Sequence, residues 1–585
     1  MRLKSMSVRN FRAINGKNNI IRFDNNNIVF LFGKNNIGKS SILYAYEYFS
    51  SPTKKALLTD FYNNNPKNKI EIEAVFLKES SDDETFNNLN LNKWVDDNGI
   101  VKFKKTWDTL DEKASKETYH PKNKKYEAKG FGGLETILTH ATPNVIFIEA
   151  IPNVDSLIKW LDDRIKKELL KSLKENHKSE YEEALVAVNK LQQKIEEHSY
   201  LTNMALSVNQ YFNSTFPDLE IKILQDKNKE TDLTKAFEKD FGIAIGKKNK
   251  DNRELIETAK ALEEIKEQVE NTDFRRFDLH GHALVRQAIV TILGLFSNTK
   301  EGEKHIILFE EPELYLHPNN KRRFRETLYK LSERDDYQII CISHDPQLID
   351  LSKEHMSLAR FVQNSDGTTE IYQTDETIFN KDEETKDRVQ MLNRFNPHIC
   401  ESFFADEVIL VEGDTEAIVL RELIHKHYPK KEIFVLNTGS KNNIPFFINI
   451  LSNFKINQHI IHDSDERYLY ENDGTIKLKN DGTPKSNSAW SINDNIWKAI
   501  ENAKCRNNCS IKRYVSIRNF EHAHNYSHDP KLGKPLSAYL YAQNLDIRNN
   551  EISIVKQLKQ ITGDLAYDEE FTPESLDKLV QEPNR

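Results

Sequence analysis

Cysteine is scarce in this sequence, with 4 residues among 585. This scarcity excludes a disulfide framework and is typical of proteins in a reducing compartment, so we expect a cytoplasmic location. Cys505 and Cys509 have no second pair of ligands at zinc spacing, which argues against a structural zinc site. The sequence also lacks a signal peptide and any apolar run of about 18 residues, the length that crosses a bilayer. We therefore expect no membrane partner.

The sequence also lacks a large excess of charge of either sign. Lysine and arginine together number 83, aspartate and glutamate number 91, and the formal net charge is −8. This balance does not exclude a nucleic-acid partner, because phosphate groups are bound by a local basic surface. The chain is too long for a single hydrophobic core, and we expect about three or four domains.

Among the motifs that are present, a phosphate-binding loop at residues 33–40 has the most specific spacing. It reads G-x-x-x-x-G-K-S, follows an apolar run and precedes a helical pattern. The two glycines allow backbone N–H groups to surround phosphates, Lys39 can reach the outer phosphates, and the Ser40 hydroxyl can bind Mg²⁺. We therefore predict that the chain binds a nucleoside triphosphate. The predicted contacts in the loop are Gly33, Asn35, Asn36, Gly38, Lys39, Ser40 and Ser41.

Strand patterns surround this loop at 1–32, 70–77 and 144–150. Residues 111–131 place lysines among aromatic side chains, which is typical of a solvated, partly disordered loop, with nucleic-acid contact as the alternative. Residues 153–215 change to charged helical repeats. They predict an inserted pair of amphipathic helices, which is either an interaction arm or a self-contained packed hairpin.

A second set of ATPase features begins with an apolar strand pattern that ends in Glu310 and Glu311. Neighbouring residues of a strand point to different sides, so one carboxylate can hold Mg²⁺ with Ser40 and the other can polarise the attacking water. A further strand pattern leads to His344, whose imidazole either contacts the γ-phosphate or has a structural role.

Two apolar strand patterns in the last third of the chain also end in carboxylates, with a helical pattern between them. The carboxyl ends of parallel strands meet at one edge of a sheet, so we expect these acids to lie together. Clustered carboxylates are the ligands of Mg²⁺ or Mn²⁺, and two such ions can activate a water and stabilise the leaving oxygen of a phosphodiester. Each pattern alone is also compatible with a simple cap or loop. The acids are Glu412, Glu416, Asp463 and Asp465.

The segments FGKNNIGKS, FEEPELYLHP and ISHDP, in this order, resemble the ATP-binding-cassette ATPases of the SMC/RecF/Rad50 type. The resemblance implies that the nucleotide is ATP, that Arg12 lies near it, that Glu310 binds the metal ion, that Glu311 is the hydrolytic base and that His344 is the switch histidine. It also implies a signature loop, best matched by LHGHALVR, which contains Gly281 but departs from the usual residues around it. Nucleotide binding without rapid hydrolysis is therefore an alternative. Because a second subunit supplies this loop to the nucleotide, we expect a homodimer or a higher even oligomer.

The acids of the last third resemble the Toprim fold of topoisomerases, bacterial primases and certain nucleases. The resemblance implies that Glu412 is the first Toprim acid, that Asp463 and Asp465 are its D-x-D pair, and that Glu416 is the extra acid of nuclease members. Joined to the ATPase motifs, this pattern resembles the OLD (overcoming lysogenization defect) nucleases over nearly the whole chain.

That family also places an acid and an essential lysine late in the domain. Glu521 fits the acid as a further metal ligand, and Lys534 fits the lysine that would neutralise charge on the scissile phosphate, with Lys531 as a competitor. The histidines beside them do not have a standard zinc spacing, and we interpret them as surface residues. These histidines are His522, His524 and His528.

We therefore predict an α/β fold, in which an ABC-type ATPase head with an inserted helical arm is followed by a Rossmann-like Toprim domain. The predicted domains are an ATPase N-terminal lobe at 1–152, a mainly helical insertion and dimerisation region at 153–270, an ATPase C-terminal lobe at 271–390 and the Toprim domain at 400–585. Residues 388–404 are predicted to form a linker.

The predicted function is that of a nucleotide-regulated DNA endonuclease that uses Mg²⁺ or Mn²⁺ and acts in antiphage defence. The expected partners are DNA and a second copy of the chain. The family resemblance leaves open a helicase-like protein, as in the Gabija type, or a retron reverse transcriptase with its DNA–RNA product. The alternatives are a non-catalytic SMC/RecF-like DNA-binding ATPase and a topoisomerase-like or primase-like Toprim enzyme.

Overall fold

The computed structural model describes most of the chain, in two compact units. The first unit comprises Met1–Lys4, Ile42–Ala56 and Ile72–Ser343, and the second comprises Ser5–Ser41, Leu57–Glu71 and His344–Arg585. The described residues are 1–23, 26–88, 91–128, 142–150, 199–225, 241–247, 275–276, 284–285, 288, 304–314, 316–351, 353, 357–374, 387, 390–391, 397–507, 509–567 and 570–581.

Strands and helices alternate through much of the described chain. The strands are β1 (Arg2–Arg9), β2 (Ile20–Arg22), β3 (Ile28–Phe32), β4 (Ile70–Leu77), β5 (Ile100–Trp107), β6 (Ser115–His120), β7 (Lys125–Ala128), β8 (Asn144–Ile148), β9 (Leu219–Gln225), β10 (Phe241–Lys247), β11 (Arg275–Arg276), β12 (His305–Glu310), β13 (Tyr337–Ile342), β14 (Leu358–Gln363), β15 (Thr369–Gln373), β16 (Glu407–Val411), β17 (Ile433–Asn437), β18 (Asn457–Asp463) and β19 (Ile511–Ser516). The α-helices are α1 (Lys39–Ser50), α2 (Asp83–Asn88), α3 (Ser199–Thr215), α4 (Pro318–Ser332), α5 (Asp414–His427), α6 (Ile444–Asn453), α7 (Ser488–Asn507), α8 (Phe520–Ala523), α9 (Gly533–Asn544), α10 (Ser553–Thr562) and α11 (Pro573–Gln581).

In the first unit, β12 lies between β8 and β13, and all three strands are parallel. The apolar residues 306–309 of β12 are fully buried, as expected for a parallel strand that is covered on both faces. Helix α4 begins at Pro318, whose fixed φ suits a first helical turn, and Phe324 packs against Phe309 with 5.7 Å between the ring centroids. The strand ends at Glu310, so a carboxylate stands at the carboxyl edge of this sheet.

The segment 111–131 contains an antiparallel hairpin, β6–β7, so its interpretation as a partly disordered loop was wrong for residues 115–128. Tyr119 lies opposite Tyr126, and their ring centroids are 5.4 Å apart. The ammonium groups of Lys102 and Lys104 lie 5.0 Å and 4.6 Å from these two ring centroids. Cross-strand aromatic pairing and cation–π contacts stabilise a hairpin that the polar composition alone disfavours.

The predicted helical insertion is described only in part, because residues 151–198 lie outside the described chain. Helix α3 is present in the described part and carries the buried residues Val208 and Phe212. The next described elements are strands rather than helices: β9, β10 and β11 form an antiparallel sheet.

In the second unit, β3 pairs with β14 in parallel, and β14 pairs with β15 in an antiparallel arrangement. A separate parallel sheet has the strand order β17-β16-β18-β19. Leu420 and Leu423 of α5 pack with Ala538 and Ala542 of α9 in one of its buried cores. The carboxyl ends of the four strands lie at one edge of this sheet, where the predicted acids are found. The predicted α/β fold class is confirmed.

Residues 397–404, which were predicted to be part of a linker, are instead packed as a 3₁₀ helix. Ile399 and Phe403 are fully buried, and the Phe403 ring lies 5.8 Å from that of Phe32 and 5.6 Å from that of Phe454. The linker prediction was wrong here because these apolar side chains fix the segment to the core of the second unit. No helix in the described part of the chain is long and apolar enough to cross a membrane.

Candidate active site

The predicted phosphate loop connects β3 to α1, and its two glycines hold conformations that other residues rarely adopt. Gly33 has φ 142° and Gly38 has φ 100°. A Cβ on Gly33 would lie 2.3 Å from the carbonyl oxygen of Phe361, and a Cβ on Gly38 would lie 2.7 Å from the Cβ of Ala13. Both positions therefore require glycine, for backbone conformation and for space.

Lys39 is the first residue of α1, and only 4% of it is exposed. Its ammonium group donates hydrogen bonds to the carbonyl oxygens of Gly33, at 3.0 Å, and of Lys34. Ser40 follows at the helix N-terminus, where free N–H groups and the helix dipole favour bound anions. Asn35 and Asn36 are exposed at the tip of the loop.

The structure places His344 and Arg12 in the same unit as this loop. Burial, and secondarily the positive charge of Lys39, lower the pKa of His344 to about 4, so the imidazole is neutral at physiological pH. The Arg12 guanidinium donates a 3.0 Å hydrogen bond to Asp60, which is buried. Sequence reasoning missed Asp60, because a lone aspartate carries no motif.

The acids of the first unit occupy the end of β12. The Glu310 carboxylate accepts a 3.4 Å hydrogen bond from the amide of Ala150. Glu311 has φ 43°, and its amide donates to the carbonyl oxygen of Ile342 at 2.9 Å. A left-handed backbone costs a residue with a side chain roughly 1–2 kcal/mol, and here it turns the chain directly after Glu310. Gly281 lies outside the described residues.

The predicted Toprim acids meet at the carboxyl edge of the β17-β16-β18-β19 sheet. Glu412 follows β16, and its carboxylate accepts a 2.7 Å hydrogen bond from the amide of Asp463, the last residue of β18. Glu416 lies in the first turn of α5 and is 6% exposed. Asp465 has φ 59°, and its carboxylate accepts a 2.7 Å hydrogen bond from Lys441.

These acids are held close enough to perturb one another. Burial, together with the charges of Glu412, Glu416 and Asp465, raises the pKa of Asp463 to about 9. Burial also raises the pKa of Glu412 to about 7, against the opposing charge of Lys441. The pKa of Glu416 is raised as well, mainly by burial. Without a counter-cation, this edge of the sheet favours protons on its carboxylates.

A divalent cation fits this set of residues. The Oδ1 atom of Asp463 is buried and has no hydrogen-bond partner among the described residues, so it is available to a bound cation. The donors are carboxylates, which suit hard cations such as Mg²⁺ and Mn²⁺. In the described part of the chain, however, no three acid, histidine or cysteine side chains form a ready-made metal cage.

Of the two candidate lysines, the structure brings Lys534 toward the acids. Lys534 is exposed in the first turn of α9, and its charge lowers the pKa of Glu416 against the effect of burial. Glu521, exposed on α8, acts on the same carboxylate in the opposite direction. Lys531 is also exposed, and its amide donates a 2.8 Å hydrogen bond to the carboxylate of Asp529.

The neighbouring histidines do not share one environment. His522 and His528 are exposed, as predicted. His524 is instead 4% exposed, its Nε2 lies 3.1 Å from the Ser516 hydroxyl, and its ring lies 4.3 Å from that of Phe520. Its interpretation as a surface residue was wrong, because a buried hydroxyl and an aromatic ring provide it with a site in the core.

Sequence reasoning also missed Lys441, which contacts Asp465 directly. The available signal was its position three residues after Thr438, in the glycine-containing turn that follows β17. In a parallel sheet this turn lies at the same edge as the acids, so a lysine in it is a candidate for the site.

The phosphate loop and the acidic edge of the parallel sheet are the features of a P-loop ATPase joined to a Toprim domain. A family model described as "AAA ATPase domain" matches residues 1–349, and the chain belongs to this family. A second model, described as "Overcoming lysogenization defect protein-like, TOPRIM domain", matches residues 403–465. The predicted resemblance to the OLD nucleases is thereby confirmed.

Curated relatives agree with these matches. The Old nuclease of Escherichia phage P2 is 24% identical over 498 residues, which cover 80% of this chain and 77% of that protein. The OLD nuclease of Thermus scotoductus is 28% identical over 187 residues, which cover 31% of this chain and 35% of that protein. Among solved structures, an Smc head bound to the C-winged helix domain of ScpA matches with a TM-score of 0.41 and 12% identity, over 64% of this chain and 98% of that one.

Proposed function

We propose that the chain is an ATP-binding, divalent-metal-dependent DNA endonuclease. The observation that carries this proposal is the buried Oδ1 of Asp463, which has no hydrogen-bond partner among the described residues and lies near Glu412, Glu416 and Asp465 at the edge of the sheet. The relatives named as nucleases and the match to a Toprim domain support it.

In the proposed mechanism, Glu412, Glu416, Asp463 and Asp465 would hold the cations, with Glu521 as an additional carboxylate. When bound, two such ions would supply an activated water and charge stabilisation for the leaving oxygen of a phosphodiester. The exposed ammonium group of Lys534 would neutralise charge on the scissile phosphate. The carboxylates would have to be deprotonated to act as ligands, because a protonated carboxyl binds cations poorly.

For the ATPase site, the family resemblance is the basis on which we assign ATP and Mg²⁺ to Lys39, Ser40 and Glu310, with Glu311 as the base that polarises water. The neutral His344 is suited to contact the γ-phosphate without adding positive charge to that of Lys39. We also propose, from the family resemblance, a homodimer whose partner supplies the signature loop and a role in antiphage defence. A helicase-like protein or a retron reverse transcriptase is the proposed kind of operon partner.

Nucleotide regulation is part of the proposal, and contacts within the second unit support it. Lys34, which follows Gly33 in the phosphate loop, forms ion pairs with Asp406 at 2.7 Å and with Glu432 at 2.6 Å. Asp406 directly precedes β16, the strand that leads to Glu412. Arg360 of β14, whose side chain is 2% exposed, donates to Asp406 at 2.7 Å and to the carbonyl oxygen of Phe454 at 2.9 Å. A shift of the phosphate loop on nucleotide binding would therefore change the contacts of Asp406, the residue directly before β16.

The test is incubation of supercoiled plasmid with the full-length protein and Mg²⁺ or Mn²⁺. We expect nicked and linear DNA. We expect Glu412→Gln to reduce the cleavage rate more than about 100-fold, because loss of a metal ligand should cost more than loss of a residue that only holds a ligand in place. The matched control is Glu551→Gln, an exposed glutamate of the same domain, which should cleave like the wild type. Relaxed plasmid without nicks would indicate a topoisomerase-like enzyme, and intact supercoiled plasmid would indicate a non-catalytic ATPase.

A further inference from the structure

Lys441 introduces a positive charge into the carboxylate cluster from the chain itself. It begins the 3₁₀ turn Lys441–Asn443 and is 6% exposed. Its ammonium group lies 2.7 Å from Oδ2 of Asp465. A lysine is seldom buried to this extent unless it is paired, so this contact is a built part of the site.

The turn that carries Lys441 is fixed to the strand that leads to Glu412. Both the amide and the hydroxyl of Thr438 donate to the carbonyl oxygen of Val411, at 2.9 Å and 2.8 Å. The side-chain amide of Asn443 donates to the carbonyl oxygen of Thr438 at 2.8 Å, which closes the turn. The backbone of Lys441 therefore cannot move away from the acids without breaking these hydrogen bonds, although the side chain can change rotamer.

The acids consequently fall into two groups. Asp465 already has a cation against one of its carboxylate oxygens. Asp463 has a buried Oδ1 without a hydrogen-bond partner in the described chain, and Glu412 accepts a backbone amide bond there, with Lys441 acting on it through its charge. Among the described residues, a divalent ion that enters the site therefore meets an open oxygen at Asp463, whereas at Asp465 it meets the Lys441 ammonium group.

We propose that Lys441 is a positioning residue that competes with a divalent cation for Asp465. The first ion binds at Asp463 and Glu412, and Asp465 becomes a ligand only when the Lys441 ammonium group is displaced. Metal loading is therefore stepwise, and the second ion binds more weakly than the carboxylates alone would allow. This inference rests on the metal site of the proposed function and adds the residue that sets its occupancy.

The test is calorimetric titration of the full-length, DNA-free protein with Mn²⁺. Lys441→Met removes the competing charge and should bind its weaker ion at least about tenfold more tightly than the wild type, or bind one more ion per chain. The matched control is Lys426→Met, on an exposed lysine of α5 in the same domain, and it should titrate like the wild type. Equal or weaker Mn²⁺ binding by Lys441→Met would overturn the proposal.

Two further variants separate competition from a purely structural role. Lys441→Arg keeps the charge and should restore the wild-type titration, whereas a change as large as that of Lys441→Met would contradict the proposal. If Lys441→Met does not fold, Lys441→Gln keeps a hydrogen-bond donor without the charge and carries the same expectation. If Lys441→Met binds Mn²⁺ more tightly but the wild type does not cleave plasmid, this inference is supported and the nuclease function is rejected. If the wild type cleaves plasmid but Lys441→Met binds Mn²⁺ like the wild type, the nuclease function is supported and this inference is rejected.

Discussion

The phosphate loop and the carboxylate edge both form where strands end, but their charges are balanced in different ways. In the loop, the Lys39 ammonium group donates to carbonyl oxygens of the loop itself, and its shape is fixed by two glycines. At the edge, Asp463 keeps a buried oxygen without a partner among the described residues, and its pKa is raised to about 9. The phosphate loop thus satisfies its own lysine through backbone hydrogen bonds, whereas the carboxylate edge needs a cation to balance its charge.

The largest effect that this comparison predicts is on the backbone of the loop. Gly38→Ala places a Cβ 2.7 Å from that of Ala13 at φ 100°. Overpacking and a left-handed conformation together should cost about 3 kcal/mol, and the distorted loop should lose ATP binding. Thermal unfolding and titration with a fluorescent ATP analogue measure both effects.

The matched control for this substitution is Gly482→Ala, at φ 78° with nothing within 4 Å of the added Cβ. It carries only the conformational cost of about 1 kcal/mol and should leave ATP binding unchanged. If Gly38→Ala unfolds no more readily than Gly482→Ala, the close contact with Ala13 is not present in solution.

A smaller effect is predicted at the carboxylate edge, and it depends on pH. The pKa of Asp463 is about 9 in the folded protein and 3.8 for an ordinary aspartate, so the folded state binds the proton more tightly. The stability of the metal-free protein should therefore fall as pH rises from about 4 toward 9. Asp463→Asn keeps the group neutral and should stabilise the metal-free protein by on the order of 2 kcal/mol at pH 8, with little change at pH 4.

Thermal unfolding in EDTA at the two pH values measures this effect. Glu551→Gln is the control. Glu551 is exposed, so removal of its charge should not stabilise the protein. A loss of stability in Asp463→Asn at pH 8 would show that the ionised carboxylate is well solvated, and would remove the main argument for a cation at this position.

The same contrast explains what the sequence could predict. The loop was predictable because its chemistry is contiguous: Gly33, Gly38 and Lys39 have a fixed spacing that serves one purpose. Glu412 and Asp463 were predictable as a pair, since apolar strands that end in acids imply a shared sheet edge. Lys441 offered a weaker signal, its position in the glycine-containing turn after β17, and its contact with Asp465 becomes evident only when the register of β17 against β16 is known. The buried position of His524 likewise depends on its contacts with Ser516 and Phe520, which are set by tertiary packing.

The smallest effect on stability is predicted where the two regions meet, at Lys34. Its side chain is 43% exposed, so the pairs with Asp406 and Glu432 should contribute only about 0.5 kcal/mol to folding after solvent screening. Lys34→Met should accordingly unfold almost like the wild type and bind ATP with similar affinity. Its plasmid cleavage rate, however, should no longer change when ATP is added, because the loop has lost its ion pairs to the base of β16.

Lys67→Met, on an exposed lysine that belongs to neither site, should keep the wild-type response to ATP. A full ATP response in Lys34→Met would show that the nucleotide acts on the carboxylate edge by another route, for which the buried Arg360 and its hydrogen bond to Asp406 would be the next candidate.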